Sequence, residues 1–156
     1  MIVDSQSVKN TDTARKKGYD AGKKISGIKR HIFVDSQGLP HAIAVTTANV
    51  TDRKGTLSCI HRNRKNLRYV KAVLADGGYC GARFAFGVFT KIKAVVTVAK
   101  RSDPHSFVVI PKRWVVERSF AWLEKCRRLW KNCEAGLNTS LQMVNLAFLV
   151  LVLRRF

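Results

Sequence analysis

The chain has 156 residues, of which 29 are Lys or Arg and 10 are Asp or Glu, so its formal net charge is +19 at pH 7. A hydrophobic content of 46% excludes a disordered basic tail and is sufficient for one compact domain with a core. So large a positive charge indicates a polyanionic partner, and nucleic acid is the default. Charge alone leaves open a protein that only binds RNA non-specifically through a basic surface.

The cysteines and the apolar end of the chain exclude two further classes. None of the four cysteines forms a C-x2-C pair, so a zinc site is not expected, and reduced thiols in a cytoplasmic compartment are the plain interpretation. Residues 143–153 are apolar apart from Asn145, but a bilayer span takes about 20 residues. We therefore expect a buried terminal helix and no membrane association.

The predicted elements alternate in a pattern typical of an α/β protein. Strands are predicted at residues 2–8, 28–34, 39–47, 69–75 and 94–98, and helices follow residues 49–52 and occupy residues 82–90, 112–131 and 138–154. Residues 9–27 are predicted to form a basic loop and residues 100–110 a polar loop. Three sequential strands followed by alternation indicate a mixed five-stranded sheet flanked by helices, with an extra C-terminal helix, in a single domain of residues 1–156.

Two of the ten acids belong to apolar strands, where a carboxylate packs poorly. Asp4 lies inside the first strand, and Asp76 lies at the carboxyl end of the predicted central strand. Open α/β sheets place their sites at the carboxyl ends of strands. Glu117 lies on the long helix. Clustered carboxylates repel one another unless a cation neutralises them, and hard oxygen ligands select Mg²⁺ or Mn²⁺. Asp4, Asp76 and Glu117 are therefore candidate ligands of two ions that catalyse attack on a phosphodiester.

Simpler interpretations are open for Glu117 and Asp76, and the other acids are predicted to have ordinary roles. Glu117 could also belong to a salt-bridged solvent face of its helix, and Asp76 could be only a cap or turn former. Glu124 shares the helix stripe of Glu117. The other six acids are predicted to lie in loops, turns and caps, or, for Glu134, on the surface: Asp12, Asp20, Asp35, Asp52, Asp103 and Glu134.

The predicted basic loop is the first candidate surface for DNA. Its cations would contact phosphates, although a solvated, mobile insertion without a role is the alternative. The candidate residues are Lys9, Arg15, Lys16, Lys17, Lys23 and Lys24.

Three segments closely resemble bacterial insertion-sequence transposases of the DDE type, in the group numbered five of the four/five superfamily. They are residues 4–9 (DSQSVK), residues 75–79 (ADGGY) and, most specifically, residues 113–123 (RWVVERSFAWL). The resemblance extends over nearly the whole chain, including residues 130–134 (WKNCE) and the final helix.

This resemblance implies an RNase H-like fold with Asp4 on the first strand, Asp76 at the end of the fourth and Glu117 on the following long helix. It implies that Asp4 bridges two Mg²⁺ ions, for which Mn²⁺ can substitute, while Asp76 and Glu117 each complete one site. The family reaction is hydrolytic nicking at the element ends, followed by attack of the freed 3′-hydroxyl on target DNA. The implied partners are the terminal inverted repeats, the target DNA and further copies of the chain in a synaptic complex.

The third motif of the family is usually Y-x2-R-x3-E-x6-K. Arg113 and Glu117 match it, whereas Ile110 and Glu124 occupy the tyrosine and lysine positions. The resemblance gives Arg113 the role of a phosphate contact. Lys125, one residue after the lysine position, and Arg128, one helical turn further, are the candidates for the missing cation.

Family members usually carry a helical segment before the first catalytic strand, and it helps to bind the element ends. Only three residues precede Asp4, so we expect the end-binding region to be absent and the chain to correspond to a second reading frame or a remnant. An active catalytic domain would then work with, or fused to, an upstream product. The alternatives are a non-catalytic DNA-binding remnant that interferes with intact transposase, a nuclease on the same fold, and a basic RNA-binding protein.

Overall fold

The structure is a computed structural model that describes residues 1–99 and 113–154, with the backbone alone for Arg113. The predicted polar loop at residues 100–110 lies outside the described residues. The described residues form six strands, β1 (Ile2–Lys9), β2 (Gly18–Asp20), β3 (Ile25–Val34), β4 (Pro40–Thr47), β5 (Ala72–Ala75) and β6 (Val95–Val98), and four α-helices, α1 (Asp52–Arg62), α2 (Ala82–Ile92), α3 (Arg113–Glu124) and α4 (Leu137–Leu153).

The strands form one mixed sheet in the order β4-β3-β1-β5-β6. β1, β3 and β4 pair antiparallel, whereas β1, β5 and β6 run parallel. The short β2 pairs with the first residues of β3, on the same edge that β4 occupies further along. The predicted mixed sheet flanked by helices is confirmed, and β2 adds a sixth strand to the predicted five.

Alternating side chains give the sheet two buried faces. Val3 of β1 and Phe33 of β3 pack with residues of α1 and α2, and we call this side the α1/α2 face. Ile2 and Ile32 pack with residues of α3 and α4 on the opposite side, the α3/α4 face. Because successive residues of a strand point to opposite faces, every second residue of β1 is committed to one or the other.

Residues 9–27 are more ordered than the predicted basic loop. β1 continues to Lys9, β2 forms a short hairpin with β3, and β3 begins at Ile25. Gly18 does not interrupt this structure but permits it, since a Cβ there would lie 2.0 Å from the Asn49 side chain. We call residues 9–24 the basic hairpin segment.

Two predicted elements are shorter in the structure. The strand predicted at residues 69–75 covers only Ala72–Ala75, and Tyr69 is 75% exposed. The helix predicted at residues 112–131 ends at Glu124. Buried Leu129 lies against the sheet, where its carbonyl accepts a hydrogen bond of 2.7 Å from Arg30 Nη2.

The apolar end of the chain forms α4, as predicted, but only one side of it is buried. Val144 and Phe148 pack on the sheet, whereas Leu146 and Leu153 are more than half exposed. No helix in residues 1–99 or 113–154 is long and apolar enough to cross a membrane.

Candidate active site

Asp4 and Asp76 lie side by side on neighbouring central strands, at the carboxyl end of β5. Ile2 and Leu74 are paired in parallel, so two further residues along each strand bring Asp4 next to Asp76. Both carboxylates belong to the α3/α4 face, because their strand neighbours Val3 and Ala75 are buried on the opposite one. A burial pattern that alternates along β1 and β5 therefore determines the position of both acids.

Each of the two carboxylates also organises local backbone. Asp4 Oδ1 accepts a hydrogen bond of 2.7 Å from the amide of Ser5, and Asp76 Oδ1 accepts one of 3.0 Å from the amide of Gly78. The second bond caps the 3₁₀ turn Gly77–Tyr79 that directly follows β5. The interpretation of Asp76 as a cap is therefore correct, and it is compatible with a second role as a ligand.

A small cavity of about 10 Å³ is lined by both Asp4 and Asp76, together with Val116 of α3. Mg²⁺ usually keeps several waters and binds through one or two carboxylates plus substrate phosphates, so this pair of hard oxygen donors fits such an ion. Within the described ranges, however, no three His, Cys, Asp or Glu side chains come close enough together to hold a metal ion.

Glu117 lies on α3, which packs on β1 and β3 over the α3/α4 face. Its neighbour Val116 is buried and lines the cavity between the two aspartates, whereas Glu117 itself is exposed. The structure therefore places Glu117 on the helix that covers the aspartate pair without making it part of a three-residue metal group. Its role as the third ligand stays a prediction.

The cations of the basic hairpin segment extend beyond the aspartate pair along the strand direction. β1 continues for five residues after Asp4, to the exposed Lys9. Lys23 Nζ turns back and donates a hydrogen bond of 3.2 Å to the carbonyl of Ser5, one residue from Asp4. The remaining predicted DNA contacts of this segment are all exposed: Arg15, Lys16, Lys17 and Lys24.

The cations predicted on the long helix do not all lie on α3, because α3 ends at Glu124. Lys125 is exposed just after the end of α3, and the side chain of Arg113 lies outside the described residues. Arg128 pairs with Glu134 at 2.8 Å, and Glu134 is mostly buried rather than exposed as predicted. Glu124 accepts a hydrogen bond of 2.6 Å from Gln6 Nε2, which ties the end of α3 to β1.

A buried ionic cluster on the α1/α2 face was missed by sequence reasoning. Lys29 of β3, only 4% exposed, pairs with Asp20 of β2 at 3.0 Å and with Asp52 of α1 at 2.8 Å. Asp20 and Asp52 were predicted to be ordinary loop and cap residues. The signal was nonetheless visible, because residues 29–31 (KRH) interrupt an apolar strand just as Asp4 does.

The cluster is held together by mutual stabilisation of its charges. A hydrogen bond from Ser7 and the contact with Lys29 hold the pKa of Asp20 well below its usual range. Burial lowers the pKa of Lys29, but its bonds to Asp52 and Asp20 outweigh burial and raise the pKa overall. Lys29 therefore stays charged. Through its ion pairs with Asp20 and Asp52 it connects the basic hairpin segment to α1 on the α1/α2 face.

A second buried cation, Arg30, faces the other side of the sheet. Arg30 lies opposite Gln6 in the antiparallel register of β1 and β3, and its Nη2 donates a hydrogen bond to the Leu129 carbonyl. Burial lowers the pKa of its guanidinium to about 10, while Glu124 acts in the opposite direction. Arg30 thus holds the segment after α3 against β3, opposite Gln6, which lies two positions beyond Asp4 on the same face.

The stability of the chain should fall between pH 6.5 and pH 4 because of His31. This side chain is fully buried against Gly55, and burial lowers its pKa from 6.5 to about 4. In this window the unfolded chain binds more protons than the folded chain, so stability is complete above pH 6.5 and declines as the pH falls. The loss attributable to His31 is on the order of 3 kcal/mol.

Urea unfolding of wild type and of His31→Gln at pH 4.5, 5.5, 6.5 and 7.5 measures this effect. Gln keeps a hydrogen-bonding group for Thr46, which lies 3.0 Å from His31 Nε2, but does not titrate. We expect a flatter pH dependence for His31→Gln, and an unchanged one for the exposed control His61→Gln. An unaltered slope in His31→Gln would contradict the assignment.

Comparison with solved structures defines the fold class. A chain of the cryo-EM structure of the simian T-cell lymphotropic virus intasome in complex with PP2A regulatory subunit B56 gamma is 14% identical, with a TM-score of 0.59, over 94% of this chain and 45% of the matched chain. The catalytic core domain of BIV integrase is 13% identical, with a TM-score of 0.53, over 95% of this chain and 79% of that domain's chain. The fold is therefore RNase H-like, as in retroviral integrases.

Sequence comparison defines the family. The model of the "Transposase DDE domain" family matches residues 1–153, and the chain belongs to this family. It is also 37% identical over 111 residues to the protein named "Putative transposase for insertion sequence element IS402" of Burkholderia cepacia. That match covers 66% of this chain and 52% of the relative, so the chain spans about half of the relative's length. The predicted membership in the DDE transposases of insertion sequences is confirmed.

Proposed function

We propose that this chain is the catalytic portion of a transposase that cuts and joins DNA at the ends of an insertion sequence. The observation that supports this most directly is the adjacent pair Asp4 and Asp76 at the carboxyl end of β5, beneath the helix that carries Glu117. The net charge of +19 would attract a polyanion, and the carboxyl end of a strand is where open α/β sheets place their sites.

In this proposal the three carboxylates, Asp4, Asp76 and Glu117, hold two Mg²⁺ or Mn²⁺ ions. When bound, the ions activate a water or a 3′-hydroxyl for in-line attack on a phosphodiester and stabilise the leaving oxygen. Asp4 would contact both ions, while Asp76 and Glu117 would each complete one site. The bond from the Gly78 amide to Asp76 orients that carboxylate before substrate arrives.

The cations around the acids would hold the DNA. Lys23 lies against the backbone next to Asp4, and the exposed residues of the basic hairpin segment extend from there along the direction of β1. Arg113 and Lys125, at the two ends of α3, would contact further phosphates. Arg128 is a weaker candidate because Glu134 already neutralises it.

Cleavage of DNA that carries the terminal inverted repeats flanking this gene tests the proposal. With Mg²⁺ or Mn²⁺, the full chain should nick a labelled repeat duplex to leave a 3′-hydroxyl and then join that end to a target plasmid. Chelation with EDTA should abolish nicking while DNA binding persists, because the phosphate contacts do not need the metal. Nicking of equal rate in EDTA would overturn the metal-dependent mechanism.

The second candidate is a DNA-binding remnant without catalytic activity. It is favoured by the lack, in residues 1–99 and 113–154, of a three-residue metal group. Salt-sensitive binding of the repeat duplex without cleavage in either metal would support this candidate. Cleavage that is restored by adding the relative's remaining segment would support the first.

A further inference from the structure

A basic groove lies on the side of the molecule away from the aspartate pair. The ends of α1 and α2 and the loop after α1 enclose about 770 Å³, and we call this space the basic groove. Among the residues that the structure describes, no Asp or Glu lines it. Its ionisable lining residues are His61, Arg62, Arg64, Lys65, Arg68, Lys91 and Lys93.

The topology separates this groove from the candidate active site. The loop with Arg68 precedes β5 and Lys93 precedes β6, whereas Asp76 follows the opposite end of β5. α2 has 11 residues and runs back from the catalytic edge to the groove, a distance of about 16 Å at 1.5 Å per residue. The groove cations therefore lie at the opposite end of β5 and of α2 from the aspartate pair.

Helix capping explains only some of these cations. Arg62 ends α1, and Lys91 and Lys93 lie at the end of α2, where positive charge stabilises the helix dipole. Arg64, Lys65 and Arg68 lie in the loop beyond α1, and none of the groove cations forms an ion pair with a carboxylate of the described residues. Their mutual repulsion is uncompensated within that part of the protein.

Exposed aromatic rings support two of the cations. Arg68 stacks over Tyr69 at 4.5 Å, and Lys93 lies over Phe89 at 5.3 Å. Both rings are largely exposed, Tyr69 at 75% and Phe89 at 49%. Such contacts orient a cation without neutralising its charge, so both cations stay available to an anionic partner.

We propose that the basic groove is a second DNA-binding surface, which contacts the phosphate backbone of a duplex segment distinct from the one at the aspartate pair. The inference rests on the proposed function, since a transposase must hold both element and target DNA. The groove supplies six Lys and Arg residues and no acid, so the contacts are with the backbone rather than with particular bases.

Lysine acetylation with and without DNA tests this inference directly. A saturating 40-bp duplex (on the order of four helical turns) is added to the full chain, and the acetylation rate of each lysine is read by mass spectrometry. We expect Lys65, Lys91 and Lys93 to react at least about threefold more slowly with DNA, as should Lys16 and Lys17 of the basic hairpin segment.

Two triple variants separate the surfaces. Arg62→Gln/Arg64→Gln/Arg68→Gln should abolish protection in the groove, keep it at Lys16 and Lys17, and reduce the salt dependence of binding by about 0.9 per lost phosphate contact. The matched variant Arg15→Gln/Lys16→Gln/Lys17→Gln should do the reverse. All six residues are exposed, so neither variant disturbs the core.

Unprotected Lys65, Lys91 and Lys93 beside protected Lys16 and Lys17 would overturn the groove proposal and leave the proposed function intact. Equal protection of the groove by polyglutamate would overturn its assignment to DNA. Failure of the proposed function appears separately, as a lack of metal-dependent nicking, whatever the protection pattern.

Discussion

Asp76→Asn is expected to reduce metal-dependent DNA cleavage by on the order of 10³-fold, equivalent to about 4 kcal/mol of transition-state stabilisation. The substitution removes the negative charge that would hold the cation beside Asp4. It keeps an oxygen that can accept the hydrogen bond from the Gly78 amide, so the 3₁₀ turn after β5 should persist. The loss should therefore appear in cleavage and not in folding.

The measurement is the initial rate of nicking of the repeat duplex in Mn²⁺, with urea unfolding and DNA affinity determined in parallel. Asp12→Asn is the matched control, because Asp12 is an exposed acid in the basic hairpin segment. Each substitution removes one negative charge, so a general increase in attraction to DNA would be the same in both variants. Cleavage by Asp76→Asn at a rate close to that of Asp12→Asn would remove Asp76 from the proposed metal site.

Lys29→Met is expected to destabilise the folded chain by about 3–5 kcal/mol, because it leaves buried carboxylates without their cation. Asp20 and Asp52 approach Lys29 from different elements, at 3.0 and 2.8 Å. Their side chains are 11% and 32% exposed, so water would compensate Asp52 more than Asp20. Lys65→Met, at an exposed position, should change the free energy of unfolding by less than about 0.5 kcal/mol.

A mutant cycle with Asp20→Asn separates the ion pair from the loss of packing. The free energy of unfolding in urea is measured for Lys29→Met, Asp20→Asn and the double variant. Since the double variant no longer leaves Asp20 charged and unpaired, its destabilisation should be smaller than the sum of the two single effects by about 1–3 kcal/mol. Simple additivity would show that Lys29 does not tie the basic hairpin segment to β3.

The strand-borne acids could be predicted because a carboxylate in an apolar strand is conspicuous in sequence. Apolar Ile28, Ile32 and Val34 alternate along β3 in the same way, and all three are buried. Residues 29–31 (KRH) interrupt this strand, but the ionic cluster around Lys29 was not predicted. Its partners Asp20 and Asp52 are distant in sequence and individually resemble ordinary turn and cap residues.

The end of α3 could not be predicted from periodicity. Residues 112–131 continue a helical pattern of apolar and charged positions, and this pattern takes no account of the sheet beneath. In the structure α3 ends at Glu124, and the Leu129 carbonyl accepts a hydrogen bond from the buried guanidinium of Arg30 on the sheet. The consequence is that Arg128 lies outside the helix and pairs with Glu134 instead of extending the line of cations.

The sequence by itself determined the class of the protein: an α/β chain of charge +19 whose apolar strands carry Asp4 and Asp76, with motifs that resemble the DDE transposases. Periodicity and local motifs suffice for this, because strand alternation and turn chemistry are properties of neighbouring residues. Only the tertiary structure decided which distant residues meet. It brought Asp4 beside Asp76 through the register of β1 with β5, joined Lys29 to two acids, and gathered the groove cations away from the catalytic edge. Such contacts depend on how strands pair and helices pack, and one-dimensional spacing does not contain that information.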